Sequence, residues 1–138
     1  FEPGLATVGE SGQLISSVLD LFDSDGKMVA VIDTSVNHLP EAFEYSYQFP
    51  LADPAEQHNN DYILAGSSCL AGDIFGTYSF AAPLETGQQI TFAECGAYSL
   101  VKAHCFNGIN LPAIYTSENG KTTLYKEFTY EEYSERFR

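Results

Sequence analysis

The sequence has no tryptophan, one methionine, and six basic residues against nineteen acidic ones, a formal charge of −13 over 138 residues. The shortage of lysine and arginine argues against nucleic acid and anionic membrane surfaces as partners, because like charge opposes approach. Cysteine is also scarce. Cys69, Cys95 and Cys105 form an odd set with no framework spacing, which excludes a disulfide scaffold and points to a reduced, cytosolic compartment. No apolar run approaches bilayer length, and no signal-peptide pattern is expected at the start. The chain opens on Phe1 rather than Met, so a preceding N-terminal portion is expected.

What is present describes one globular domain. Hydrophobic residues make up 44% of the chain and only six prolines interrupt it, enough apolar content for a real core. Apolar residues from about Gln13 to Phe22 and from Met28 to Ile32 flank Asp23-Ser24-Asp25-Gly26, turn chemistry that predicts a hairpin. Phe43, Tyr45, Tyr47 and Phe49 alternate, which predicts a strand with one buried face. Ala52 to Asn60 is polar and reads as a surface loop. Short strands are expected over Asp61–Ala65, Tyr78–Phe80 and Gln89–Ala93. Asn119-Gly120 between Ala113–Ser117 and Thr122–Lys126 predicts a second hairpin. Thr129-x-x-Glu132 has the spacing of a capping box at the head of a short terminal helix. Many short strands separated by turns indicate an all-β sandwich or barrel.

The stretch Gly66-Ser67-Ser68-Cys69-Leu70-Ala71-Gly72-Asp73-Ile74-Phe75-Gly76 places a thiol and a carboxylate among three glycines. Glycine permits close approach of backbone to ligand, and such a thiol is a candidate reactive group. The same spacing also suits a turn whose cysteine packs as a small hydrophobe. His38, His58 and His104, with Cys95 and Cys105, lack the paired spacing of a zinc site, so no metal is expected. A Cys69–His protease dyad has no supporting nucleophile signature, and neither a P-loop nor a dinucleotide glycine motif occurs.

Gly66-x-x-Cys69-x-x-Gly72-Asp73 resembles the active-site cysteine loop of the fold-type III pyridoxal phosphate decarboxylases, and its full wording is most similar to their carboxynorspermidine branch. Glu2-Pro3-Gly4, Gly96-Ala97-Tyr98 and Phe106-Asn107-Gly108-Ile109-Asn110-Leu111-Pro112 resemble further segments of that family, in the same order. The resemblance implies the C-terminal β-sandwich or barrel domain of such an enzyme, of the alanine racemase C-terminal kind, with short helices. Residues 1–6 would end a preceding α/β barrel and residues 7–138 would form the β domain. Pyridoxal 5′-phosphate is the implied cofactor. Glu2 would pair with its pyridine nitrogen, keeping the ring electron-withdrawing, and the Tyr98 hydroxyl would bind its phosphate.

By the same resemblance Cys69 would come from the opposite subunit of a homodimer and return a proton to the α-carbon. Asp73 would either face the substrate's distal amine or cap its own turn. Phe106 would stand at the site mouth as a substrate contact or pack there. The implied reaction is decarboxylation of carboxynorspermidine or carboxyspermidine in polyamine biosynthesis.

Two positions depart from relatives. Leu5 follows Glu-Pro-Gly where many carry arginine. Leu70 follows the cysteine where the ornithine and diaminopimelate branches carry an acid, which argues against those shorter substrates. The family's cofactor-linking lysine lies on the barrel, and Lys27, Lys102, Lys121 and Lys126 occupy no corresponding position. The chain alone is therefore expected to be inactive. The alternatives are an ornithine or diaminopimelate decarboxylase, and a non-catalytic decarboxylase-like binding module.

Overall fold

A computed structural model of the chain describes residues 1–54 and 59–138. His58 and the middle of the predicted polar loop lie outside the described residues.

The first expected hairpin forms. Strands β1 (Leu14–Ser24) and β2 (Lys27–Ile32) pair antiparallel. They are joined where Asp25 and Gly26 both take positive φ, 53° and 78°, as a tight two-residue turn requires. Strand β1 then changes partner along its length: Leu14 to Ser17 pair with β5 (Gln89–Phe92), while Val18 onward pairs with β2. A register shift between Val18 and Asp20 marks the changeover, and such bulges bend a strand. Strands β3 (Asn60–Ala65) and β4 (Ile74–Phe80) complete a five-stranded sheet of order β4-β3-β2-β1-β5. Within it β2 and β3 run parallel, so a long crossover carrying helix α2 (Pro40–Glu44) must connect them.

The sheet curls until its two outer strands meet. Phe92 of β5 is fully buried, stacks on Phe75 of β4 at 5.2 Å between centroids, and lies edge-on to Tyr78 at 5.8 Å. The seam is closed by residues 48–52. Gln48 Nε2 donates to Thr77 O at 2.7 Å and Tyr78 Oη to Phe49 O at 3.0 Å, on the β4 side. On the β5 side Ala93 N donates to Pro50 O at 2.8 Å and Ala52 N to Thr91 O at 2.9 Å. The result is the expected β architecture in the form of a half-barrel with a few short helices.

The strand expected over Phe43 to Phe49 does not form. Pro40 opens α2 at a position where its missing N–H costs nothing. Ser46 then takes φ 53°, which breaks any alternation. Phe43 and Tyr45 consequently face solvent, while Tyr47 and Phe49 turn inward, with rings in edge contact at 4.8 Å. Aromatic alternation alone cannot register a left-handed residue in its midst.

After β5 come α1's packing partner, residues 95–96, and a short helix α3 (Ser99–Lys102); α1 itself spans Gly4–Val8. Strands β6 (Ile114–Glu118) and β7 (Lys121–Lys126) form the second hairpin, with Asn119 and Gly120 both at positive φ. Helix α4 (Tyr130–Ser134) opens on the capping box: Glu132 N donates to Thr129 Oγ1 at 3.3 Å, and Thr129 N to Glu132 Oε2 at 3.4 Å. No helix is long and apolar enough to cross a membrane among the described residues.

Candidate functional site

The β3–β4 connection, from Gly66 to Asp73, presents Cys69 to solvent on a base that is fully engaged. Asp73 is only 5% exposed. Its Oδ1 accepts the Val36 N–H at 2.8 Å, and its Oδ2 accepts the Ser68 N–H at 3.0 Å and the Ser68 hydroxyl. Its own backbone joins in, since Gly66 N donates to Asp73 O at 2.8 Å and Asp73 N to Leu70 O at 3.0 Å. Glycine is required at position 66, because a Cβ there would lie 2.3 Å from Asp73 Oδ1. Of the two readings of Asp73, the structure places the carboxylate in the turn. Both carboxylate oxygens are thereby engaged by the loop and by Val36.

A second locus forms where the chain's first residues meet residues 94–99. Cys95 N donates to Gly12 O and Gly96 N to Gly9 O, both at 2.9 Å. The approach is so close that a Cβ on Gly96 would sit 1.8 Å from Val8 O. This contact brings Glu2-Pro3-Gly4 and Gly96-Ala97-Tyr98 together: a Cβ on Gly4 would lie 3.3 Å from the Tyr98 hydroxyl. Tyr98 is 53% exposed, and its hydroxyl bonds to no other group among the described residues. Glu2 is exposed as well.

Between these segments and α2 lies a cavity of about 190 Å³, walled chiefly by Leu5, Tyr45, Tyr47, Tyr98, Glu41 and Glu94, with no basic residue in its lining. Tyr47 Oη donates to Glu94 Oε2 at 2.7 Å, a bond that holds the phenol above its ordinary pKa. Cys95 lies beneath, its thiol pushed up to about 12 by burial, with the Glu41 and Glu94 carboxylates adding to the shift. Glu41 Oε2 is buried and has no hydrogen-bond partner among the described residues. An unpaired carboxylate oxygen under aromatic walls favours a cation. The nearest lysine is already committed: Lys102 Nζ pairs with Glu44 and lies 5.0 Å from the centroid of the Tyr45 ring.

Glu41 was not singled out by sequence. The signal available was an acid directly after a proline and just ahead of four alternating aromatics. Phe106 is 54% exposed, and its carbonyl accepts Asn37 Nδ2 at 3.0 Å. The Cys69 loop and the Tyr98 cavity share no lining residue. Among the described residues no three His, Cys, Asp or Glu side chains cluster as a metal site.

The chain belongs to a known family: residues 7–96 match the pyridoxal-dependent decarboxylase, C-terminal sheet domain. Within the family it is 37% identical over 134 residues to a carboxynorspermidine/carboxyspermidine decarboxylase of Herminiimonas arsenicoxydans, covering 96% of this chain and 36% of that protein. It is equally 37% identical, over 139 residues, to a carboxyaminopropylagmatine decarboxylase of Synechocystis, covering 98% of this chain and 36% of that protein. Among solved structures, the carboxynorspermidine decarboxylase of Campylobacter jejuni, complexed with norspermidine, superposes with a TM-score of 0.83 at 31% identity. That match covers 92% of this chain and 38% of that one. The chain thus spans little more than a third of the length of the relatives it matches.

Proposed function

We propose that the chain is the C-terminal domain of a pyridoxal phosphate-dependent carboxy-lyase that removes the α-carboxylate from a long cationic substrate, carboxynorspermidine or carboxyspermidine. Residues 1–6 end its catalytic barrel and residues 7–138 form its sheet domain, in a cytoplasmic homodimer that supplies polyamines. The observation that carries this reading is the convergence of Gly4 and the exposed Tyr98 hydroxyl at the mouth of an acidic, aromatic cavity.

The residues present fit the cofactor in part. The unengaged Tyr98 hydroxyl beside Gly4 is a donor for phosphate, and the exposed Glu2 carboxylate is available for the pyridine nitrogen. No lysine lines the cavity, so the covalent attachment comes from the barrel. When bound, pyridoxal phosphate supplies the electron sink for loss of carbon dioxide. The chain's own residues then do three things. Tyr98 and Glu2 orient the cofactor. Glu41 and Glu94 attract the cationic arm of the substrate. Cys69, exposed on its clasped loop, delivers a proton to the α-carbon in the partner's site, since a thiol can donate near neutral pH. Phe106 stands at the mouth as an apolar contact.

Separation of the Cys69 loop from the Tyr98 cavity supports a site assembled across a dimer, as do the exposed Tyr115, Leu124, Tyr125, Tyr130 and Phe137 of the C-terminal hairpin and helix. Leu70 and the unpaired Glu41 favour a polyamine-like arm over the diaminopimelate or ornithine alternatives. Retention of Glu2 and Cys69 disfavours a non-catalytic binding module.

The test is carbon dioxide release by the full-length product of the encoding gene, with carboxynorspermidine, carboxyspermidine, carboxyaminopropylagmatine, diaminopimelate and ornithine as substrates. A preference for one of the first two supports the proposal. Preference for diaminopimelate or ornithine, or no release with any, overturns it. The 138-residue chain alone should give no stable visible absorption band with added cofactor.

A further inference from the structure

Residues 34–38, between β2 and α2, are almost wholly polar and yet buried: Thr34, Ser35, Asn37 and His38 are all 5% exposed or less. A connection of this kind is normally on the surface, because buried backbone polar groups need partners. Here some partners lie within the strap, His38 Nε2 is buried without one among the described residues, and the rest come from two other loops. On one side Ser67 N donates to Thr34 O at 3.0 Å, and Val36 N donates to Asp73 Oδ1 at 2.8 Å, which ties down the loop of Cys69. On the other side Asn37 engages the loop of Phe106 twice, accepting from His104 N at 3.1 Å and donating from Nδ2 to Phe106 O at 3.0 Å. Consecutive residues Val36 and Asn37 therefore hold opposite loops, each loop being tied by one backbone–backbone bond and one bond through a side chain, Asp73 or Asn37.

We propose that this buried strap is a common anchor that sets Cys69 and Phe106 in fixed relation, with Asn37 and Asp73 as its positioning residues. Neither needs to touch substrate. Asp73 fixes the thiol's loop from below, and Asn37 fixes the aromatic loop from the far side of the same two-residue step. A change at Asn37 must then be felt at Cys69, although Asn37 makes no hydrogen bond to the Cys69 loop among the described residues. A purely local, load-sharing role for each side chain would produce no such cross-effect.

The catalytic consequence rests on Cys69 being the proton donor, but the positional claim does not, so the two are tested separately. In a Cys105→Ser background of the chain, native alkylation by iodoacetamide reports Cys69, since Cys95 is buried. Asn37→Asp, which keeps the volume and removes the donor, and Asp73→Asn should each change the Cys69 alkylation rate by about threefold or more. Val18→Ala, a core truncation elsewhere, serves as the control at matched loss of Tm and should leave the rate unchanged. Where Asn37→Asp does not fold, Asn37→Ser replaces it. Alkylation in the Asn37 variant equal to that of the Val18 control overturns the anchor. In the full-length product, Asn37→Asp should lower kcat by roughly tenfold or more through misplacement of the proton donor. If Cys69→Ser leaves kcat intact, the proton-donor reading falls while the alkylation result still decides the anchor.

Discussion

The Cys69 loop and the Tyr98 cavity treat polar groups in opposite ways. Around Cys69, the Asp73 carboxylate accepts three hydrogen bonds and is buried. Around Tyr98, an exposed phenol lacks a partner and Glu41 keeps a buried oxygen unpaired. Unsatisfied buried polar groups cost about 1–3 kcal/mol each, so each one retained asks for a physical reason. The first region is closed around its carboxylate and offers its thiol outward. His38 Nε2, in the strap beneath, is its one buried side-chain polar atom without a partner among the described residues. On the proposed function the second region is half of a site, completed when a ligand or another domain supplies the missing charge. Proteins place strain and unmet polarity at the points where they bind, and rigidity at the points that must hold a reacting atom still.

The largest effect expected from breaking either region falls on the cavity's supporting contact. Gly96→Ala puts a methyl 1.8 Å from the Val8 carbonyl, backbone against backbone, and neither side can yield cheaply. The variant should lose roughly 3 kcal/mol or more by overpacking and should detach the first residues from Tyr98. Urea denaturation measures the loss, and faster amide exchange over Gly9 to Gly12 measures the detachment. Full stability in this variant would mean that the two motifs are not held together by that contact.

Next comes the finished loop. Asp73→Ala strands the N–H groups of Val36 and Ser68, the former buried, at an expected cost of about 3 kcal/mol. Thermal unfolding followed by circular dichroism checks it. A loss under about 1 kcal/mol would show that water replaces the carboxylate and that the loop is less closed than its geometry.

Much of this arrangement can be read from sequence, and the reason is local. Asp25-Gly26 and Asn119-Gly120 require left-handed backbone in a two-residue link, so each fixed a hairpin on its own. Thr129 and Glu132 satisfy each other within one turn, which makes their helix start self-contained. The loop of Cys69 and the segment of Tyr98 were legible as motifs. Their surroundings were not, because these depend on contacts across the chain: Val36 to Asp73, Gly4 to Tyr98, Asn37 to Phe106. The aromatic run from Phe43 to Phe49 misled for the same reason. Its backbone is decided by Pro40 and by the demand to close the seam between β4 and β5, neither of which alternation encodes. The bond from the Val36 N–H to the Asp73 carboxylate likewise joins distant parts of the chain, which no local pattern encodes.

Acid should separate the two regions more gently. His38 lies in the strap beneath the loops, with Nδ1 2.7 Å from Thr34 Oγ1, and burial lowers its pKa from 6.5 to about 4. Asp73 and Asp33 favour the charged ring and His104 opposes it, but burial dominates. The unfolded chain therefore binds a proton near pH 6.5 that the folded chain refuses until about pH 4. Stability from this group is complete above pH 6.5 and declines as pH falls through that window, by at most about 1.4 kcal/mol per pH unit. His38→Gln should flatten that part of the stability curve between pH 6 and 4.5, relative to the parent. An identical slope in the variant would mean that other groups govern the acid limb.

The smallest effect sharpens the contrast most, because its sign differs from the others. Glu41→Met keeps the length of the side chain and removes the unpaired oxygen, leaving an apolar group against Tyr45, Tyr47 and Tyr98. Removing a buried acceptor that has no donor should raise stability by about 1 kcal/mol, seen as a higher urea midpoint at unchanged slope. If the proposed function holds, the same change should weaken capture of a cationic arm in the full-length product, raising KM for the polyamine precursor while kcat changes little, since that reading puts the carboxylate on the binding path and not at the reacting carbon. Gain of stability with loss of affinity is the mark of a group kept for binding. A variant less stable than the parent would show instead that Glu41 is satisfied within the fold, and the cavity would then be as finished as the loop it is contrasted with.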